Sequence, residues 1–253
     1  MSSPSDELRE IYERRAELEY PEPSPRPERR THRKFFRVLD LVEAQLPAAS
    51  LLDAGCGDGL YLEAVGSGKQ PPARLVGSDL SERILATARA TAARSGVTPE
   101  LVRGNLEALP FDDGEFAVVL CTQVLEHLLA PQAGIHELAR VLEPGGRLVI
   151  TTDNSRNLVT KTLNAPRALA VRALQLRGHR LKVHFPHASF APSVFVRMIT
   201  ESGLEPIRVE TFRFHLEWPF DRPVLHRALN RVEDLLPRSH TMGDVIAVVA
   251  TKR

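Results

Sequence analysis

Short apolar runs alternate with stretches of helical periodicity through the first 150 residues of the chain. The runs are 50–54, 74–78, 100–102, 116–121 and 146–151, and helices are predicted between them over about 61–66, 82–94 and 132–142, the last closed by Pro144-Gly145-Gly146. Apolar runs separated by helical crossovers imply right-handed connections in an open, mostly parallel sheet with helices on both faces. The fold class expected is therefore α/β, a doubly wound Rossmann-like sheet. Ahead of it, Phe35, Val38, Leu39, Val42 and Leu46 recur at spacings of three and four, predicting a helix from Thr31 that ends before Pro47. Beyond residue 152 the rhythm changes: Asn164 suits an N-cap, Pro166 a first turn and Gly178 a stop, giving a helix over about 165–177. The α/β grammar then returns, with a helix over about 192–202, a strand near 205–214, a helix near 224–235 and a last strand over 244–251.

This pattern divides the chain into an N-terminal arm and proline-rich linker, residues 1–30, and a principal domain, 31–253, with a lid inserted over 154–192. The arm carries a short solvated helix from Glu7 to Leu18. It then meets prolines at 21, 23, 25 and 27, each of which removes a donor and restricts its predecessor. With 33 Lys and Arg against 32 Asp and Glu, the net charge of +1 excludes a surface built wholly as a polyanion-binding field. The balance is local, however: residues 154–200 hold eight basic residues and no Asp or Glu. Two cysteines, Cys56 and Cys121, are too few for a disulfide framework, suit a reducing compartment and point to the cytoplasm. The acid-rich N-terminus does not read as a secretory or transit signal, and no apolar run approaches the roughly 20 residues of a transmembrane segment.

Candidate chemistry concentrates where the first strand meets glycines. In Leu52-Asp53-Ala54-Gly55-Cys56-Gly57-Asp58-Gly59 the glycines permit a sharp turn and let a ligand approach the main chain. Their Gly-x-Gly-x-Gly spacing and flanking acids differ from the Gly-x-Gly-x-x-Gly of dinucleotide sites, and carboxylates suit a cationic ligand better than a pyrophosphate. Asp79, 20 residues after Gly59 at the end of the second strand, is placed to accept both hydroxyls of a ribose; its bland reading is a turn acid ahead of the N-cap Ser81. Asn105 and the backbone at Leu106 offer directed hydrogen bonds beside an apolar turn, as an adenine edge requires.

These motifs, with Asn105-Leu106-Glu107-Ala108-Leu109-Pro110-Phe111, the stretch from Phe116 to Leu128, and Glu137 to Gly146, resemble class I S-adenosylmethionine-dependent methyltransferases of the type 11-like group that modifies small molecules. The resemblance covers about residues 36–152. It implies a seven-stranded sheet with an antiparallel last strand inserted beside its neighbour, and S-adenosylmethionine as cofactor. Many members have Asp where this chain has Asn105. The cofactor set expected is Asp53, Gly55, Gly57, Asp79, Leu80, Asn105, Leu106 and Cys121. Cys56 and Cys121 close the first and fourth strands, which adjoin in this topology, and read as a reduced pair filling the loop.

The same resemblance sets Gln123-Val124-Leu125-Glu126-His127-Leu128 beside the methyl donor. Some quinone-pathway and small-RNA 2′-hydroxyl methyltransferases present Glu-x-x-Glu-His here and bind a divalent cation. Gln123 replaces the first Glu and removes a charged oxygen ligand, so no metal is expected, and Glu126 and His127 read first as packing or cofactor-shell groups. The candidate catalytic bases are His184 and His127, with His179 and His187 as lesser lid candidates and solvated or capping histidines as the alternative. The basic lid could attract an anionic acceptor, meet a membrane surface, bind RNA or simply be a solvated charged face. Val171 and Leu174 lie off the face shared by Leu169, Ala173 and Leu176, a poor match to a membrane helix, and 6% aromatics with no appended module disfavour nucleic acid. An apolar small-molecule acceptor pocket or a homodimer contact therefore fits better. The cluster Arg29, Arg30, Arg33, Lys34 and Arg37 reads as the solvated side of its helix, although family analogy lets this region and Tyr12 or Tyr20 close over the cofactor. The expected function is methyl transfer to oxygen of a quinone-like, lipid-like or secondary metabolite. Its rivals are a non-catalytic S-adenosylmethionine or S-adenosylhomocysteine binder, an RNA methyltransferase and, disfavoured by the glycine spacing, a nicotinamide-dependent oxidoreductase.

Overall fold

The structure, a computed structural model, describes residues 10, 13, 14, 33–157, 162, 188–212, 231, 235 and 243–253. Seven strands form one sheet: β1 (Ser50–Ala54), β2 (Arg74–Asp79), β3 (Glu100–Arg103), β4 (Phe116–Thr122), β5 (Leu142–Asp153), β6 (Leu204–Phe212) and β7 (Val245–Lys252). Their order is β3-β2-β1-β4-β5-β7-β6. β1 to β5 pair in parallel, whereas β7 lies antiparallel between β5 and β6. The expected topology is therefore present, including the inserted antiparallel last strand.

Alternation along the strands builds two cores, because successive side chains leave a strand on opposite faces. Val118 and Leu120 of β4, with Val245, Ala247 and Val249 of β7, pack under Val38, Leu41 and Val42 of α1 (Arg33–Glu43). Val119 and Cys121, with Ile246, Val248 and Ala250, meet Ile135 and Leu138 of α4 (Pro131–Val141) and Phe195 and Ile199 of α5 (Pro192–Glu201). A third cluster, Leu62, Leu85, Ala88 and Cys56, joins α2 (Leu60–Gly66) to α3 (Glu82–Ala93). Ser81 caps α3 by accepting the Ile84 N–H, which satisfies a donor that the first helical turn would otherwise leave open.

Two expectations are corrected. β5 begins at Leu142, not at Gly146: Leu142 pairs with Phe116 and Arg147 with Val118, so Pro144-Gly145-Gly146 forms an irregularity within the strand instead of a loop before it. Lys34 and Arg37 are not on a solvated face. Arg37 donates from Nε and Nη2 to the two oxygens of buried Glu210 on β6, at 2.7 and 2.8 Å, and Lys34 Nζ donates to Gln123 Oε1 at 2.9 Å. Charged ends carried on long apolar stems can reach inward where acceptors wait, and here they tie α1 to the turn after β4 and to β6.

The inserted segment leaves and re-enters the fold at one place. Phe190 N–H donates to Asp153 O at 2.9 Å and Ser155 N–H to Phe190 O at 2.9 Å, so its two ends lie side by side beyond β5. The helix expected over 165–177, the proline linker and Arg29, Arg30, Tyr12 and Tyr20 lie outside the described residues. So do most of the helix near 224–235 and the arm helix, apart from Arg231, Leu235, Glu10, Glu13 and Arg14, all helical. No described helix is long and apolar enough to cross a membrane.

Candidate functional site

The glycine turn lies where β1 and β4 adjoin, at the carboxyl ends of the strands, the usual crevice for ligands in open α/β sheets. Gly55 and Cys56 donate their N–H groups to Ser78 O at 2.7 and 2.9 Å, tying the turn to β2. Gly57 N–H donates to Asp79 Oδ2 and Ser81 N–H to Asp79 Oδ1, both at 3.1 Å. Gly57 has φ +54, and among the described residues a Cβ added there would meet nothing within 4 Å, so they leave open space in front of this backbone. Gly59, at φ +77, is constrained differently: an added Cβ would lie 2.8 Å from Ala88 Cα, where the turn presses on α3.

Acids converge behind this turn. Asp53 is 1% exposed, and among the described residues neither of its carboxyl oxygens has a hydrogen-bond partner. Burial, then the charges of Asp79 and Asp58, push its pKa up to about 8. Asp79 is also raised, mainly by burial and secondarily by the charge of Glu13, against the lowering effect of the Ser81, Gly57 and Leu80 N–H groups. Glu13 comes from the N-terminal arm. Its carboxylate accepts the Ser81 hydroxyl at 2.8 Å and the Glu82 N–H at 3.1 Å, beside Asp79.

The turn after β3 is clamped from α4. Glu137 Oε2 accepts the Leu109 N–H at 2.8 Å, and Arg140 binds Glu137, Asp113, Leu109 O and Phe111 O. The Arg140 guanidinium holds the Glu137 carboxyl below its usual range. Asn105 Oδ1 accepts the Glu107 N–H at 3.0 Å, so its carbonyl shapes the turn locally. The Leu106 side chain is buried in the core, and half-buried Leu80 accepts Arg103 Nε on its carbonyl at 3.2 Å. Cys121 is sealed in the larger core while Cys56 lies in the small one; both are free thiols, raised chiefly by burial.

The third part of the site is the turn after β4. Gln123 stands at φ +56, donates its N–H to Thr151 O at 3.1 Å and accepts Lys34 on its amide oxygen. Val124 fills the space that a side chain at Gly55 would take, which seats this turn on the glycine loop. Leu125–His127 forms one 3-10 turn in which Glu126 is 2% exposed and His127 half-buried. Glu126 accepts the Thr152 hydroxyl at 3.0 Å. Burial raises its pKa to about 7, with Asp153 adding to the rise and Thr152 and Lys34 opposing it. Ala188, at the returning end of the insertion, donates its N–H to Glu126 O at 2.8 Å. Among the described residues no three His, Cys, Asp or Glu side chains are grouped to hold a metal ion. His184, His179 and His187 lie outside the described residues.

Sequence reasoning missed Glu13 and Thr152, read Lys34 as solvated ahead of a place over the cofactor, and gave Glu126 only a packing or shell role. Their partners are remote in the chain, so only an acid set among apolar neighbours in Val124-Leu125-Glu126 hinted at a buried carboxyl.

A family profile described as a methyltransferase domain matches residues 52–150. The ubiquinone biosynthesis O-methyltransferase of Thiobacillus denitrificans is 36% identical over 167 residues, 65% of this chain and 68% of that protein. The chain belongs to the class I S-adenosylmethionine-dependent methyltransferases. The ubiquinone biosynthesis O-methyltransferase of Hahella chejuensis is 37% identical to this chain over 119 residues, 46% of this chain and 49% of that one. Across the first two curated relatives, the chain spans 32% and 49% of their lengths. The fold is shared with a Haloferax volcanii protein solved in complex with the Trm112 methyltransferase activator, at TM-score 0.65 and 18% identity, covering 96% of each chain. The cofactor of the family is S-adenosylmethionine, a nucleoside bearing a sulfonium and an ammonium. Open backbone at Gly57, a buried acid at Asp53 whose oxygens lack partners among the described residues, and an acid ending β2 fit such a group.

Proposed function

We propose that this protein transfers a methyl group from S-adenosylmethionine to an oxygen of a small, fairly apolar acceptor of the quinone-like, lipid-like or secondary-metabolite class. The observation that carries the cofactor half is Asp53, a carboxyl with both oxygens unpartnered among the described residues, behind an open glycine turn. A buried carboxyl in this state costs free energy unless a donor or cation reaches it, and the cofactor's ammonium is such a group. Asp79 is assigned to the ribose hydroxyls, Asn105 and the Leu106 backbone to the adenine edge, Gly55 and Gly57 to the main-chain wall, and Leu80 and Cys121 to flanking packing. The acceptor half is supported by relatives named as ubiquinone biosynthesis O-methyltransferases. The insertion over 154–192 is assigned as the lid of the acceptor pocket, with His184 and His127 on its acceptor side. A cytoplasmic location and a homodimer contact through the lid belong to the same reading.

When bound, the cofactor supplies a methyl carbon on a good leaving group, open to in-line displacement. The chain's own task is then largely one of placement, and holding two reactants in near-attack geometry can remove about 7–11 kcal/mol of the barrier. The rigid turn clamped by Arg140 and the β4 turn seated on Gly55 provide fixed walls for that purpose.

Two measurements test this reading. S-adenosylhomocysteine should give a saturable calorimetric titration and NAD none, and a panel of hydroxylated apolar acceptors should be methylated ahead of amines of matching skeleton; amines taken preferentially would remove the oxygen assignment. A pH effect should accompany binding. Asp53, with its pKa at about 8, holds its proton at pH 7 in the free protein. An ammonium beside it favours the carboxylate, so binding should release up to about one proton at pH 7. The calorimetric enthalpy should then differ between buffers of low and high ionisation heat, and Asp53→Asn should abolish the difference. An enthalpy independent of buffer would contradict the role given to Asp53.

A further inference from the structure

The N-terminal arm reaches the cofactor side of the fold through one carboxylate. Glu13 is half-buried, whereas its helical neighbours Glu10 and Arg14 are exposed. Its Oε2 accepts the Ser81 hydroxyl at 2.8 Å and its Oε1 the Glu82 N–H at 3.1 Å, across 68 and 69 positions of sequence. Glu82 opens α3, and its N–H is one of the donors that a first helical turn leaves without an intrahelical acceptor. Buried Ser81 uses its hydroxyl twice: the oxygen accepts the Ile84 N–H at 3.3 Å and the hydrogen goes to Glu13. A serine has a single hydroxyl hydrogen, so that of Ser81 is committed to the arm. The same turn carries the acid that ends β2. Ser81 N–H donates to Asp79 Oδ1 and Gly57 N–H to Asp79 Oδ2, each at 3.1 Å. The turn from Asp79 to Ser81 is thus gripped by the glycine loop on one side and by the arm on the other. From Glu13 to the backbone of Gly57 the path runs through Ser81 and Asp79 alone, with a hydrogen bond between each and the next. The charge of Glu13 opposes ionisation of Asp79, so what the arm gives the site comes through these contacts and not through its charge.

We propose that Glu13 is a positioning residue for the cofactor: by holding the Ser81 hydroxyl and the Glu82 N–H it fixes the turn on which Asp79 stands, so that docking of the arm and binding of S-adenosylmethionine strengthen each other. The inference rests on the assignment of Asp79 to the ribose hydroxyls and deepens it. Such coupling is reciprocal: the factor by which the docked arm tightens cofactor binding is the factor by which the cofactor tightens the docking of the arm. Because it acts on the seat of the cofactor and on no reacting atom, Glu13 bears on affinity and not on the chemical step.

Calorimetry and hydrogen exchange on the full chain test the coupling. Glu13→Ala should raise the Kd for S-adenosylhomocysteine by about 10-fold and the KM for S-adenosylmethionine with it, while kcat stays within about 2-fold. Glu13→Gln, which keeps one acceptor oxygen and removes the charge, should lose about 3-fold or less in affinity. Glu10→Ala, on an exposed neighbour, should bind as the wild type does. In an Asp79→Ala background the Glu13→Ala change should cost less than about 2-fold, because the group that it positions is gone. A readout that needs neither turnover nor a substitution runs in the opposite direction: exchange of the Glu82 N–H, which Glu13 accepts, should slow by about 10-fold when S-adenosylhomocysteine binds the wild type. Wild-type affinity in Glu13→Ala, an equal loss with and without Asp79, or Glu82 exchange indifferent to S-adenosylhomocysteine overturns the proposal. Failure of the wild type to bind S-adenosylhomocysteine overturns the methyltransferase reading instead.

Discussion

Asp79→Ala is expected to weaken S-adenosylhomocysteine binding by about 100-fold or more. A carboxylate that accepts two ribose hydroxyls makes two charge-assisted hydrogen bonds, and losing them together costs about 3–4 kcal/mol, or roughly 100- to 1,000-fold in Kd. The substitution also strips acceptors from the Gly57 and Ser81 N–H groups, so the loop itself loses its tie to the end of β2. Calorimetry should show the loss of affinity, and a thermal melt of the free protein should show a much smaller effect, since Asp79 is raised above its usual range by burial and its ionised form contributes little to folding. Asp79→Asn should fall between the two, because one carbonyl oxygen remains. Binding unchanged in Asp79→Ala would remove this residue from the site.

The second large effect is on the fold. Gly59→Ala places a Cβ at φ +77 and 2.8 Å from Ala88 Cα, which is backbone and cannot swing away. The left-handed conformation costs about 1 kcal/mol and overpacking about 1–3 kcal/mol more, for a loss of about 2–4 kcal/mol. For a chain of this size that corresponds to a fall in Tm of about 4–16 °C. Gly57→Ala provides the contrast. Its Cβ meets nothing within 4 Å, so the melt should change little beyond the conformational cost while affinity for the cofactor drops, because the new methyl enters the space assigned to the ligand. Equal melting losses in the two variants would contradict this division between a glycine that packs and a glycine that opens.

How far the sequence could be read depended on whether each interaction was local. The central strands were legible from their apolar runs, because burial on both faces leaves an uninterrupted pattern. The glycine turn and Asp79 were legible because the whole arrangement closes within about 30 residues of chain. The start of β5 was not, since Pro144-Gly145-Gly146 reads as a stop whereas the sheet takes it up as an irregularity opposite Ala117. Lys34 and Arg37 read as solvated because their acceptors, Gln123 and Glu210, lie 89 and 173 residues away. Glu126 carried only one sign of its burial, its place beside the apolar Val124 and Leu125. Glu13 could not have been placed beside Ser81 by any pattern, as 68 positions and a proline-rich linker separate them. The glycine turn and the acid ending β2 were therefore visible in the chain, whereas the contacts of the β4 turn became visible only through the tertiary structure.

The most direct measurement is methyl transfer itself. Purified protein incubated with methyl-labelled S-adenosylmethionine and a small-molecule cell extract should move label into an apolar, organic-soluble compound carrying a new O-methyl group, and Asp79→Ala should lose that transfer. Label that stays on the cofactor across such extracts, while S-adenosylhomocysteine still binds, would show a binding protein without turnover and contradict the account.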